Sequence, residues 1–320
     1  MLDIINLALP FFGLIFIGYA CGKLKKIPDT GLAWMNFFII YVALPVLFYR
    51  ILAQTPFDKL ANAPFVVATT LATYCAFALS FTVAMLIRRG SPANASMAAL
   101  AGAYGNIGYM GPGLALATLG QEAAVPVALI FCFDNVLVFT LVPLLMAITG
   151  SEQQNFSGVA RDVVKRIVLH PFIIATVLGV AAAAMRVEMP VAVDRLMQFL
   201  QNAAAPCALF TLGVTVAQRT VERLPWEVPA VVFVKLVLHP VFVLVLLVLL
   251  GPMPETWVSA AVLMAALPPA LNVFIMARQY DAWVHQASAS VLVGTLASVV
   301  TLTTVMWLVK ARLLPHVFSP

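Results

Sequence analysis

Apolar residues run along this chain in long stretches, and polar residues gather in short interruptions between them. Read against those breakers, the pattern predicts ten helices, over about 4–22, 31–53, 62–87, 93–119, 123–149, 168–186, 191–217, 227–250, 255–277 and 286–309. Spanning a hydrocarbon layer of about 30 Å takes roughly 20 apolar residues as helix. Several of these stretches exceed 25 residues, which predicts tilt, kinks or breaks. The chain therefore reads as an all-α membrane protein with ten transmembrane helices. Composition points the same way. The chain is 63% hydrophobic and 10% charged, against about half and a quarter in soluble domains. The longest polar stretch, about Gly150 to Lys165, is too short for a soluble domain.

The prolines add an internal symmetry. Pro10 in "ALPFFGLIFIG" answers Pro171 in "LHPFIIATVLG", and Pro45 answers Pro206, both 161 positions later. The broken stretch of the fourth span, "NIGYMGPG", matches that of the ninth, "LPPALN", at nearly the same offset. Residues 1–149 and 168–320 then form two five-helix repeats joined by a cytoplasmic linker over 150–167. An odd number of spans per repeat inverts the second relative to the first, a recurring design of secondary transporters.

Each broken stretch carries chemistry. Gly105, Gly108, Gly111 and Gly113 crowd around Pro112 in the fourth span, and Pro268–Pro269 sits mid-segment in the ninth. Irregular backbone at membrane depth survives only where protein buries it or it lines a wet cavity. The breaks are therefore expected to meet near the midplane. Half-helix N-termini there would bind an anion through backbone amides, with Asn106 and Asn272 as neutral donors. The candidate substrate-binding residues are Asn106, Gly108, Gly111, Pro112, Gly113, Pro268, Pro269 and Asn272.

Charge inside a span is costly and points to function. Asp134, beside Asn135 in the fifth span, is a candidate for coupling to an ion or proton. Lys235 in the eighth span is its expected partner, although it lies nearer the inner end and could snorkel. His170 and His239 each precede a proline, where a helix cap or interfacial group is expected. Asp194 and Arg195 read as an interfacial pair. Cys21, Cys75, Cys132 and Cys207 show no paired spacing and read as small buried hydrophobes. The dispersed histidines offer no metal cluster, and no cofactor is expected.

Net charge is +5, but Lys and Arg are scattered between spans rather than gathered on one nucleic-acid-binding face. With the N-terminus outside, inner loops receive eleven of them and the outside six, as the positive-inside rule prefers. Lys310 and Arg312, on the outer side, count against that orientation. The first apolar run does not read as a cleavable signal, since Lys23, Lys25 and Lys26 follow it instead of preceding it.

The stretches "GNIGYMGPG" (Gly105–Gly113) and "LPPALNVFIMARQY" (Leu267–Tyr280) resemble the auxin efflux carrier family. That family holds the plant PIN-FORMED carriers and bacterial permeases often labelled malonate or organic-acid transporters. The likeness covers essentially the whole chain and is most specific where the ninth span runs into Ala277–Tyr280. It implies a fold shared with sodium–bile acid symporters: helices 1, 2, 6 and 7 as scaffold, and helices 3–5 and 8–10 as a mobile transport unit moving in elevator fashion. It also implies a homodimer through the scaffold and residence in a plasma membrane, for a bacterium the inner membrane. The family's crossover asparagine falls on Asn106 and its prolines on Pro112 and Pro268–Pro269. The plant pattern places the first proline one residue later, where this chain has Gly113.

The function expected is thus secondary transport of a small organic anion, by efflux or exchange. No GxxxxGK[ST] motif supplies an ATPase. A sodium-coupled symporter of the bile-acid type needs oxygen-rich cation sites, for which only Asp134 and Asn135 stand out. An intramembrane enzyme would need a nucleophile and base, and neither a GxSxG nor a paired aspartate occurs.

Overall fold

The computed structural model describes residues 2–25, 27–55, 62–88, 91–136, 140–148, 161, 164–165, 168–218 and 224–314. The linker expected over 150–167 lies almost wholly outside them, as do Lys26, Lys59, Arg89, Arg166 and Arg223. In chain order the helices are α1 Leu2–Leu24, α2 Asp29–Phe38, α3 Leu44–Ala53, α4 Ala63–Arg88, α5 Pro92–Ala103, α6 Gly111–Leu119, α7 Ala124–Val136 and α8 Val142–Ile148. There follow α9 Pro171–Ala184, α10 Val191–Ala217, α11 Glu227–Phe233, α12 His239–Leu250, α13 Glu255–Ala265, α14 Leu271–Gln279 and α15 Val284–Lys310. Among the described residues every regular element is a helix, and the extended backbone contributes an isolated bridge.

Among the described residues, five stretches are long and apolar enough to cross a membrane: Thr30–Ala53, Ala63–Ile87, Val191–Ala217, Glu227–Leu250 and Val284–Lys310. Ala8–Leu24, Pro171–Ala184 and Glu255–Ala265 are shorter apolar helices. Two of the long stretches carry a widened π turn, Ile39–Ala43 and Val234–Leu238. Each stands just before a proline, Pro45 or Pro240. Proline lacks an amide hydrogen and its ring collides with the carbonyl four residues earlier. One extra residue in the turn moves that carbonyl aside and lets the helix continue. Pro10 and Pro206 stay inside α1 and α10, whereas Pro171 opens α9, where no amide is missed. Prolines that match in sequence thus do different local work.

The chain forms two compact units. The first comprises Met1–Ala63, Gly108–Cys132 and Val168–Arg219. Within it α1 and α10 pack backbone against backbone. A Cβ on Gly18 would strike the Phe210 carbonyl, and one on Gly213 would strike the backbone of Ile15 and Tyr19. Small residues allow this approach in lipid, where apolar burial gives helices no preference for one another. Phe48, Phe131 and Phe172 form an aromatic cluster, with centroids 4.4–5.6 Å apart. A cavity of about 550 Å³ is lined by Tyr49, Arg50, Gln54, Glu188, Asp194 and Gln198, among others.

Gly213→Ala is expected to destabilise the detergent-solubilised protein by about 1–3 kcal/mol, the usual cost of overpacking. The obstructing atoms are backbone and cannot swing away. Thermal unfolding monitored by tryptophan fluorescence measures it, and an unchanged midpoint contradicts the close approach.

The second unit comprises Pro64–Ile107, Phe133–Ile167 and Thr220–Pro320. Its described helices include α4, α5, α8 and α11–α15. Phe65 stacks edge-on against Trp257 at 4.8 Å, and the Trp283 indole donates to the buried Glu227 carboxylate at 3.4 Å. Residues 104–107 and 266–270, where the two interruptions meet, lie in this unit.

Candidate functional site

The fourth apolar stretch breaks after Ala103. Its N-terminus is secured by Ser91, whose hydroxyl accepts from the Asn94 amide at 3.3 Å, and Pro92 fits the first turn. At the other end Tyr104 turns to extended backbone, with ψ near 110°. The ninth stretch breaks between Ala265, the last residue of α13, and Leu271, the first of α14. Pro268 and Pro269 account for that break, because neither can donate to a helix and each pushes its predecessor out of helical geometry.

The two breaks meet. Gly105 and Pro269 form an antiparallel bridge. The Asn106 amide donates to the Pro268 carbonyl at 2.8 Å, and the Ala270 amide to the Tyr104 carbonyl at 3.2 Å. Each interruption thereby satisfies polar groups that the other leaves open, as the hydrocarbon interior demands. Close neighbours fix the meeting point. A Cβ on Gly105 would lie 3.2 Å from both Cε and Nζ of Lys235, and one on Gly294 of α15 would collide with the Pro269 ring. Helix α14 begins here with no side-chain cap, and the positive end of its dipole points to the crossing.

Asn106, Pro268 and Pro269 are buried at this crossing, and Asn272 is half-buried in the first turn of α14. Gly108, Gly111, Pro112 and Gly113 belong to the first unit. There Pro112 sits in the first turn of α6, where its lost amide costs nothing. A Cβ on Gly108 would rest on the Phe131 ring at 3.4 Å, and one on Gly113 would meet the Ala205 Cβ at 2.7 Å. Gly113 is thus a close-packing position.

In the second unit the buried Lys235, His239, Thr73 and Asp134 form one network. Lys235 is completely buried and does not snorkel. It lies in the π turn and reaches the broken ninth stretch, donating to the Ala265 carbonyl. Its ammonium is also 3.0 Å from His239 Nδ1. His239 Nε2 is 3.2 Å from the Thr73 hydroxyl, which donates to Asp134 Oδ1 at 3.0 Å. Asp134 and Lys235 connect through two intermediaries that the sequence did not reveal, rather than as the direct pair expected. The cap expected at His239 is corrected: the π turn directs the imidazole into the core, four residues after Lys235. A buried Thr73 facing a buried Asp134 could be suspected from sequence only once α4 and the chain around Asp134 were known to pack together. Next to Asp134, Asn135 accepts from the Tyr104 hydroxyl at 2.8 Å, which joins the fifth apolar stretch to the first interruption.

Elsewhere, Asp194 pairs with Arg50 instead of the adjacent Arg195, through bonds of 2.8 and 3.1 Å. Consecutive helical residues point in different directions. Gln201 accepts a further bond from Arg50 at 2.9 Å. His170 does cap α9, its Nδ1 accepting from the Phe172 amide at 3.4 Å. All four cysteines are free. Among the described residues, no three His, Cys, Asp or Glu side chains converge as a metal site would require.

A family model described as membrane transport protein matches residues 3–306. The chain belongs to that family, the auxin efflux carrier family. Along its whole length, and the whole length of the relative, it is 48% identical to a protein of Rhizobium meliloti (strain 1021) named "Putative malonate transporter". The "Uncharacterized transporter YfdV" of Escherichia coli (strain K12) is 24% identical, with 95% of this chain and 96% of that protein covered. An "Uncharacterized transporter" of Methanothermobacter thermautotrophicus is 25% identical, with 90% and 93% covered. The chain is therefore a membrane transporter and not an enzyme. In a transporter, the meeting of two interrupted helices and the buried Lys235–His239–Thr73–Asp134 chain are the features that ordinary packing explains least.

Proposed function

We propose that this transporter is a secondary carrier for a small organic anion, a mono- or dicarboxylate, which binds where residues 104–107 cross residues 266–272. The bridge between Gly105 and Pro269 carries this reading. It brings Asn106 close to the N-terminus of α14, with Lys235 beside Gly105. A helix N-terminus holds about half a positive charge. Amides and asparagines can match a carboxylate and still release it. Gly108, Gly111, Pro112 and Gly113 remain candidates from the sequence alone. The same reading takes the ten spans as two inverted repeats of five and the cycle as elevator-type alternating access, with helices 3–5 and 8–10 moving. It takes the N-terminus as outside, the membrane as a bacterial inner membrane and the assembly as a homodimer through helices 1, 2, 6 and 7. Asp134, Asn135 and Lys235 serve coupling. In the outward direction, an inside-negative potential contributes about 2.3 kcal/mol per charge per 100 mV.

The name of the Rhizobium relative makes malonate the first substrate to try. Purified carrier in liposomes should support counterflow of labelled malonate, competed by related carboxylates and unaffected when choline replaces sodium. Failure to exchange malonate, acetate, lactate or succinate would remove the carboxylate assignment. A strict sodium requirement would move the carrier to the sodium-coupled type.

A further inference from the structure

We propose that transport is coupled to protons, with Lys235 serving as a tethered cation at the crossing and Thr73 and His239 forming the proton path between it and Asp134. The inference rests on the carboxylate-carrier reading above and adds the ion, the path and two residues.

Donor and acceptor arithmetic supports the path. An ammonium has three hydrogens to give and no lone pair, so His239 Nδ1 must accept from Lys235. The imidazole is then neutral and carries its proton on Nε2, which donates to Thr73 Oγ1. Thr73 has a single proton and two acceptors in range, the Thr69 carbonyl at 3.1 Å and Asp134 Oδ1 at 3.0 Å. Turned toward Asp134, it completes an unbroken row of donors from Lys235 to the carboxylate. Protons can move along this row. One proton leaves Nζ for Nδ1, the Nε2 proton passes to Oγ1, and the Oγ1 proton passes to Oδ1. Each relay residue gives one proton and receives one. Lysine ends as a neutral amine, aspartate as a carboxylic acid, and histidine only changes tautomer.

Location ties this row to the substrate. Lys235 touches both interruptions, through the Ala265 carbonyl and the space beside Gly105. With Lys235 charged and Asp134 ionised, the pair is neutral. A proton added to Asp134 leaves the crossing at +1, matched to one carboxylate charge. Crossing the bilayer with an unmatched charge is costly, so proton and anion travel together. Other titratable groups lie on the surrounding elements, and Tyr74 is within reach of the Asp134 charge. Tyr104 donates to Asn135, and Glu227 meets Trp283. Tyr74 is half-buried beside Thr73 on α4, Glu255 opens α13, and His285 and Lys310 are exposed near the ends of α15.

The test is the plateau of malonate accumulation in liposomes with the membrane potential clamped at zero. A plateau reads stoichiometry, and a variant that is only slower reaches the same one later. One coupled proton and a gradient of one pH unit give about tenfold accumulation. Thr73→Val keeps the shape and removes the relay, and its plateau is expected to fall to about the outside concentration. Thr73→Ser restores the hydroxyl and should restore the plateau. A wild-type plateau that ignores pH, or follows sodium instead, overturns the proposal, as does an unchanged plateau in Thr73→Val. Should Thr73→Val not yield monodisperse protein, His239→Gln decides by the same criterion. If the wild type exchanges no carboxylate in counterflow, the proposed function fails first, which is a different result from exchange without proton coupling.

Discussion

Asn106→Ala is expected to abolish malonate exchange in liposomes while leaving folded protein in the membrane. Asn106 is 1% exposed at the crossing. Its backbone amide, which alanine retains, makes the 2.8 Å bond to Pro268. The bridge between the interruptions therefore survives the substitution, and what disappears is the carboxamide. A hydrogen bond to a charged group contributes about 1.5–3 kcal/mol, roughly a 10- to 150-fold change in affinity. A polar atom left without its partner would add to that. Counterflow and size-exclusion profile should be measured on the same preparation. Near-normal exchange by a monodisperse variant would remove the crossing as the binding place.

The same residues show how far the sequence could be read. Apolar stretches bounded by Pro, Gly and charge located helices such as α4, α10 and α15 to within a few residues, because hydrocarbon tolerates little else. The breaks after Ala103 and Ala265 were legible for a local reason: Pro268–Pro269 and a cluster of glycines cannot sustain a helix. The partners were not legible. Asp194 bonds to Arg50, 144 positions away, instead of its neighbour, and only tertiary packing decides that. Lys235 was placed near a membrane surface by counting residues. Two features invisible in a hydropathy pattern bury it instead, the π turn that carries it and the space left by Gly105. His239 was undervalued because its neighbour Pro240 suggested a helix start, and α12 does begin at His239. The widened turn before it joins two helices without a surface break, so the position that looks like a cap is a core position.

The second large effect is expected at a glycine distant in sequence from either interruption. A Cβ at position 294 would overlap Cδ of Pro269 and lie 3.0 Å from its Cγ and 3.7 Å from its nitrogen. A flexible side chain could yield, but a proline ring moves only with its backbone. That backbone is bridged to Gly105, and the preceding carbonyl holds the Asn106 amide. Gly294→Ala should therefore shift the crossing itself. A displacement of about 1 Å at a reacting centre can cost about 100-fold in rate, and a transport site built from short backbone contacts is similarly sensitive. Malonate counterflow is expected to fall at least about tenfold, with a stability loss of about 1–3 kcal/mol from overpacking. Gly13→Ala is the matched control, since nothing lies within 4 Å of its added methyl. Alanine is the better helix former by about 1 kcal/mol, so that variant should be neutral or slightly more stable. If Gly294→Ala exchanges malonate as fast as Gly13→Ala, Pro269 is free to move and the crossing is not the rigid element that the carrier mechanism requires.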